Sequence, residues 1–339
     1  MSRLQINVIK KVGKAIMNAV VYERFGGPEV LRLEDIAKPV PREDELLIKV
    51  RATSLNKADI VVLTGKPVIA RFMGNGMFRP KHKVMGTDFS GVVETVGKRI
   101  TMYQPGDEVF GDLSGSGFGE FGEYVCVTAD VISRKPENLS FEEAATLPLS
   151  GCTALKSVRD IVPIKPNDTI LVNGASGCVG IYVVQLLKSY AASITGICST
   201  DKVDMVKKMG VDNVIDYKKE DFTRNGKKYE LIIDAALYRH INEYKNSLTD
   251  TGTHIVIGGK TSRLFQAMFL SPFISRSNGK KLKTINSRAN SEALFDLANF
   301  VKKGTLRPII DRTYKLEDVR EAMTYFMSKK ARGKVVITI

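Results

Sequence analysis

The sequence predicts an α/β fold in two parts: a doubly wound parallel sheet, and a β-rich domain that the chain leaves and later re-enters. Three observations carry this. Between about Leu171 and Gly259, short apolar runs alternate with helix-like stretches, the pattern of a parallel sheet with helices on both faces. From Met17 to about Ser133, short alternating segments are punctuated by glycine and proline, which reads as mainly β. The chain closes on "GKVVITI", a strand expected to return to the first β-rich region and make that domain discontinuous. The expected division is 1–16 as an N-terminal extension, 17–140 as the β-rich domain, 141–284 as the parallel α/β domain, and 285–339 as the return.

The elements follow in order. "AVVYERFG" and "ELLIKVRAT" read as strands, "GTDFSGVVETVG" as a strand with glycine breaks, and "GDEVFGD" as a strand after the Pro105-Gly106 turn. Together they suggest a partly open barrel or strongly bent sheets. Ser140, with Glu143 three residues on, resembles a capping box that opens a helix. Strand "TILVNGA", a helix over 178–190, strand "SITGICS", helix "DKVDMVKKMG" and strand "NVIDY" come next. "YELIIDAA" and "THIVIGG" add two buried strands, and "SEALFDLANFVKKG" and "LEDVREAMTYFMSKK" two late helices.

Size and composition limit the partners. A chain of 339 residues fits about two domains. Apolar residues at 43% and charged residues at 26% suit a soluble globular protein. No run of about 18 apolar residues occurs, so no membrane span and no membrane partner is expected. The net charge of +14 invites anions, but the lysines are scattered, so a solvated surface is expected rather than a nucleic-acid face. Cysteines at 126, 152, 178 and 198 form no C-x-x-C. That argues against a disulfide framework and a cysteine-rich zinc site and suits a reducing compartment, the cytoplasm. The first sixteen residues hold four basic residues and no acidic one. They read either as an organelle-targeting segment or as a disordered or surface-packed extension.

"LVNGASGCVG" holds the chemistry of the second domain. Gly174, Gly177 and Gly180 recur every third residue between a strand and a helix. Glycine lets the chain turn tightly and lets backbone N–H groups approach a pyrophosphate at a helix N-terminus. On this reading Gly174, Ala175, Ser176, Gly177, Cys178, Val179 and Gly180 bind the cofactor; the other reading is a tight turn without ligand. An NAD site usually has Asp or Glu about 20 residues on. Here Cys198 holds that place, with Ser199 and Thr200 after it, Lys202 near, and Tyr217 ending the next strand. Hydroxyls and a cation suit a 2′-phosphate, so NADPH is expected over NADH. Asp201 dissents, unless it points to solvent.

The ordered motifs "AVVYERFGGPEVL", "SLNKADIVVLTG", "GTDFSGVVETVG", "PGDEVFGD", "FGEYVCV", "KPENLSFEEAATLPLSGCTAL", "NGASGCVG", "VIDYKKEDF" and "ARGKVVI" resemble the medium-chain dehydrogenase/reductase superfamily, in its zinc-independent quinone oxidoreductase-like branch. The resemblance runs from Met17 to the end. It implies a Rossmann cofactor domain, a GroES-like catalytic domain, an active-site cleft between them, and a homodimer. Asn56, Thr87 and Leu149 match the positions that bind catalytic zinc in the metal-dependent relatives; none is a usual ligand, and the cysteine lobe for structural zinc is missing. No metal is therefore expected.

The implied reaction is hydride transfer from NADPH to a small-molecule substrate, a quinone or α,β-unsaturated carbonyl, whose acceptor atoms are already electron-poor. Asn56 is either a hydrogen-bond donor to the substrate carbonyl or a turn-stabilising residue. Thr153 matches a position near the nicotinamide, and Gly258 and Gly259 are expected beside that half of the cofactor. Arg332 and Lys334 match a segment that approaches the cofactor, or are ordinary charge at a strand start. His82, His240 and His254 share no ligand spacing and read as structural or surface residues. The run 264–275 reads as core or subunit interface. Residues 65–83 read as a lid or as an ordinary surface loop. Two rivals stand: a relative of the same fold with another acceptor, and a nucleotide-dependent binding protein with weak turnover.

Overall fold

The computed structural model describes residues 15–115, 117–274, 279–285 and 287–339. The expected extension, apart from its last two residues, lies outside them.

The first stretch is β-rich: β1 (Ile16–Val21), β2 (Arg32–Ala37) and β3 (Glu45–Ser54) precede helix α1 (Lys57–Thr64). β4 (Asp88–Val96), β5 (Glu108–Asp112), β6 (Tyr124–Thr128) and β7 (Ile132–Arg134) follow, then the short helices α2 (Phe141–Ala144) and α3 (Pro148–Leu155). β8 (Thr169–Asn173), α4 (Gly180–Leu187), β9 (Ser193–Cys198), α5 (Val203–Lys208) and β10 (Asn213–Asp216) alternate as expected. β11 (Tyr229–Asp234), α6 (Ile241–Asn246), β12 (Leu248–Val256), α7 (Thr261–Ile274) and β13 (Lys281–Thr284) continue the pattern. The chain ends with α8 (Ser291–Lys302), β14 (Ile310–Lys315), α9 (Val319–Met327) and β15 (Lys334–Thr338).

The chain forms two compact units. The first takes the chain up to Leu149 together with Arg288–Lys302 and Pro308–Ile339; the second takes Ser150–Ser287 and Lys303–Arg307. The first unit runs past the expected boundary at 140 because α2 packs on β3 and β4, with Ser90 Oγ donating to Phe141 O at 2.6 Å. The capping box at its start is present: Ser140 N–H meets Glu143 Oε2 at 3.0 Å and Glu143 N–H meets Ser140 Oγ at 3.2 Å.

The first unit carries a seven-stranded sheet of order β14-β15-β3-β4-β5-β7, with β6 also paired to β3, and a separate β1-β2 pair. The last strand returns: β15 pairs antiparallel with β3, Ile337 opposite Thr53. Its apolar alternation explains this, because Val335 and Ile337 face one core with Leu63, Met85 and Phe121, while Val336 faces Ala52 and Ala145. β15 also pairs with β14 on its other side, so neither of its edges is left unpaired.

The second unit is one parallel sheet of order β10-β9-β8-β11-β12-β13. The order reverses direction between β8 and β11, which makes the carboxyl ends of those strands the switch point where such sheets hold ligands. The run 264–275 divides. Ala267 and Ile274 of α7 are buried with Leu264 and Leu270 against the core, while Met268, Phe269 and Phe273 are exposed. Residue 275 lies outside the described residues. No helix among the described residues is long and apolar enough to cross a membrane.

Candidate functional site

Two sites are built from the sequence, one in each unit. In the first, the positions matched to zinc ligands do come together. Asn56 stands at the joint between β3 and α1, Thr87 and Asp88 open β4, and Leu149 lies in α3. Asn56 Nδ2 donates to Thr87 Oγ1 at 3.0 Å, to Asp88 Oδ2 at 2.8 Å and to Ser54 O at 3.3 Å. Leu149 N–H donates to Asp88 Oδ1 at 2.8 Å. The charge at the centre is an ammonium: Lys334 Nζ, at the start of β15, donates to Asn56 Oδ1 at 2.6 Å and stands 3.5 Å from Asp88 Oδ2. Lys334 and Asp88 are both 0% exposed.

The Asn56 amide hydrogens are directed at the protein's own acceptors, and its backbone N–H reaches Asp59 Oδ2 at 2.7 Å. Asn56 thus links the N-terminus of α1 to the Lys334–Asp88 pair. Lys334 is no ordinary charge at a strand start, whereas Arg332 is exposed.

The donors do not suit zinc. An amide, a hydroxyl and an alkyl chain stand at the matched positions, and among the described residues no group of three His, Cys, Asp or Glu could hold a metal ion. A buried lysine already occupies the centre of the group with positive charge.

Around this pair lies a set of buried carboxyls that the sequence reading missed. Asp59, Asp112 and Glu120 are at most 2% exposed. Neither Glu120 carboxyl oxygen has a hydrogen-bond partner on another residue, and Asp59 Oδ1 has none. Ionising such a group would be costly. Burial pushes Asp59 up to about 8, against the pull of the Asn56 N–H. It pushes Asp112 up to about 7, with Asp88 adding to the effect and Ser114 opposing it. Glu120 is held well above the carboxylate range by burial, with Asp112, Asp59 and Asp88 adding to it. Burial also raises Asp88, while Lys334 and Asn56 pull it back. "NKAD" puts Asp59 at the third helical position, and "TDFSG" and "GEFGE" put acids among apolar and small residues, but no local pattern marks which of them are buried.

The second site is the glycine turn after β8. Gly174 adopts φ +83°, a region that favours glycine, and a Cβ on Gly180 would lie 2.1 Å from Gly174 O. The turn is pinned from beneath: Gly174 and Ala175 N–H groups meet Ile197 O at 3.2 and 3.0 Å, and Ala235 N–H meets Asn173 O at 3.0 Å. Asn173 Nδ2 in turn donates to Asp234 Oδ1 at 2.8 Å, and the buried His254 ring meets Asp234 Oδ2 at 3.2 Å. Ala175, Ser176 and Gly180 are buried, Cys178 and Val179 half-buried, and Gly177 is exposed. A Cβ on Gly177 would meet only Gly174 O, at 3.2 Å. The turn therefore offers open backbone at the N-terminus of α4, which fits a pyrophosphate.

At the end of β9, two of the predicted phosphate selectors are turned to carboxylates. The Ser199 hydroxyl donates to the Asp201 carboxylate, which lies below its ordinary range for that reason. The Thr200 hydroxyl does the same to Asp216. Asp201 is exposed, yet it does not simply point away. Tyr217 is 47% exposed, its N–H bonded to Cys198 O at 3.1 Å, and Lys202 is half-buried. Burial pushes the Cys198 thiol up to about 11, so it stays neutral.

Elsewhere in this unit, Gly258 O accepts Leu237 N–H at 2.9 Å, and a Cβ on Gly259 would strike Leu237 O at 2.3 Å. Thr153 is 7% exposed in α3, its carbonyl accepting from Ser157 Oγ at 2.6 Å. The histidines keep their structural reading: His82 packs edge-on to Phe118, His240 caps α6, and His254 is buried.

The buried carboxyls set a pH dependence. Their folded-state pKa values lie above those of the unfolded chain, so the folded protein binds more protons and this contribution is complete below about pH 4. It is lost as pH rises through about 7 to 8. Stability measured by urea unfolding is expected to fall between about pH 4 and 8, by on the order of a few kcal/mol, and Glu120→Gln is expected to flatten that fall. A profile unchanged in the variant, or rising with pH, would contradict the assignment.

Comparison with known proteins closes the question of kinship. An alcohol dehydrogenase GroES-like domain model matches residues 42–137, and a zinc-binding dehydrogenase model matches 209–337. The chain is 32% identical over 334 residues to the 2-methylene-furan-3-one reductase of Solanum lycopersicum, covering 95% of this chain and 79% of that protein. It is 32% identical over 337 residues to the chloroplastic NADPH-dependent alkenal/one oxidoreductase of Arabidopsis thaliana, with the same coverage. The solved quinone oxidoreductase from Coxiella burnetii superposes with a TM-score of 0.86 at 28% identity, over 96% of this chain and 100% of that one. With two domain models and full-length relatives in agreement, this chain belongs to the medium-chain dehydrogenase/reductase superfamily, in its quinone oxidoreductase-like branch.

Proposed function

We propose that the protein is an NADPH-dependent oxidoreductase that delivers hydride to quinones or α,β-unsaturated carbonyls without zinc. The observation that supports this reading is the buried Lys334–Asp88 pair bonded to Asn56, one of the three positions, with Thr87 and Leu149, that the resemblance matches to catalytic zinc ligands. Without a Lewis acid, only acceptors that are already electron-poor suit the centre. The names of the tomato reductase, the Arabidopsis alkenal/one oxidoreductase and the Coxiella enzyme support the same acceptor class.

The bound cofactor supplies the hydride. The chain's own part is to bind, orient and hold charge. Backbone from Gly174 to Gly180 receives the pyrophosphate. Ser199 and Thr200 turn their hydroxyls from Asp201 and Asp216 to the 2′-phosphate, and Lys202 and Tyr217 complete that end. Thr153, Gly258, Gly259 and Arg332 are assigned to the nicotinamide side. Lys334 gives a fixed positive charge, and Asp59 and Glu120 keep exchangeable protons in the same buried group at neutral pH. The exposed Met268, Phe269 and Phe273 of α7 supply a face for a second copy, hence a homodimer. Cys126, Cys152, Cys178 and Cys198 form no disulfide among the described residues, which fits the cytoplasm.

An acceptor panel tests the reaction. 1,4-Benzoquinone or 2-cyclohexenone is expected to oxidise NADPH at least 100-fold faster than cyclohexanone; equal rates, or no acceptor above background, would refute it. A second test addresses the cofactor. Ser199→Asp is expected to move the NADPH/NADH ratio of kcat/KM at least tenfold towards NADH, and an unchanged ratio would count against the role of Ser199.

A further inference from the structure

The segment between α1 and β4, apart from Thr87 at its end, is used by neither site. From Gly65 to Thr87 it contains no aspartate or glutamate. It holds large apolar side chains in water: Phe78 is 86% exposed, Phe72 64% and Val68 58%, and Ile69 and Met77 are exposed as well. Single exposed apolar residues are ordinary, but five within eleven positions are not. Lys66, Arg79 and Lys81 are interspersed with them and exposed, and none forms an ion pair among the described residues. Lys83, at the end of the segment, lines a small pocket with Glu23 and Glu34 and is left out.

The exposure is imposed by the backbone. Ala70 and Arg71 N–H groups close a turn on Pro67 O and Val68 O at 2.8 and 3.0 Å. Arg71 Nε donates to Gly65 O at 3.0 Å, and its guanidinium lies 4.4 Å from the centre of the Phe25 ring. Lys81 N–H bonds Asn75 O at 2.9 Å, and the turn passes through Gly76 at φ +93°, where a Cβ would strike Arg79 O at 2.1 Å. Two turns thus hold Val68, Ile69 and Phe72 on one side and Met77 and Phe78 on the other away from the core. The exposed face of α7 differs, since its helix carries Arg263 as its one cation.

We propose that this segment is a docking surface for an anionic lipid bilayer, with Phe72 and Phe78 entering the interface and Lys66, Arg79 and Lys81 facing the headgroups. Apolar side chains that reach the acyl boundary and cations at headgroup level act together in interfacial binding. The lack of any acid over the segment removes the like-charge repulsion that an anionic surface would otherwise meet. The contact lies on the surface and needs no span. It stands apart from turnover, so it holds or fails whatever acceptor the enzyme uses.

Co-sedimentation of the full-length protein with vesicles tests it. Phosphatidylcholine vesicles with 30% phosphatidylglycerol are expected to bind at least tenfold more protein than pure phosphatidylcholine, and 0.5 M salt should abolish most of the difference. Phe72→Ser/Phe78→Ser and, separately, Arg79→Glu/Lys81→Glu are each expected to lose at least tenfold in binding, while Phe269→Ser on α7 retains it. Circular dichroism melts confirm that each variant is folded. Equal binding to both vesicles would overturn the proposal, and anionic-vesicle binding that survives in the serine variant would overturn it in favour of the overall charge. Complete displacement by soluble polyglutamate would overturn it in favour of an acidic protein partner. A serine variant altered only in KM would mark the segment as a lid instead.

Discussion

The first unit is organised around one buried cation. Lys334 enters the chain 278 residues after Asn56, yet its ammonium ends against that amide and the Asp88 carboxylate with no water surface left. A charge in that position is tolerated only when partnered, so β15 cannot dock in another register without stranding it. The same constraint places the start of β4, the N-terminus of α1 and the Leu149 amide around one point.

The second unit solves a different problem by different means. Here the requirement is bare backbone beside a helix N-terminus, and the sequence meets it with small residues. Gly180 must lack a Cβ because Gly174 O is already there, and Gly174 must adopt a left-handed turn. The Asn173–Asp234–His254 network beneath the turn fixes it without using the atoms a phosphate would need. The electrostatics at the far end are mixed: the Ser199 and Thr200 hydroxyls are turned to the Asp201 and Asp216 carboxylates.

Much of this could be read in the residues. The parallel sheet was legible because its strands are apolar runs with helical spacing between them, and the return of β15 because the chain ends on an alternating strand. The glycine turn was legible because its spacing is local. The role of Asn56 was not, since whether its amide faces substrate or protein depends on Lys334 and Asp88, distant in sequence. The buried acids were missed for a related reason. Acidic residues are normally solvated, and nothing local in "GEFGE" says that Glu120 is sealed while Glu123 reaches Asn18 N–H at 2.7 Å. β13 and β14 were also missed, because "KLKT" and "IDRTYK" are polar edge strands that lack an apolar signal.

The account makes Lys334 and Asp88 a single energetic unit, and a double-mutant cycle measures that directly. Lys334→Met and Asp88→Asn, alone and together, are to be compared by urea unfolding at pH 7. Each single change should cost about 3–5 kcal/mol because it leaves the other group buried and unpaired, and the double variant should lose much less than the sum. Costs that simply add would show that the two groups act independently, and would contradict the buried cation as the element that closes this domain.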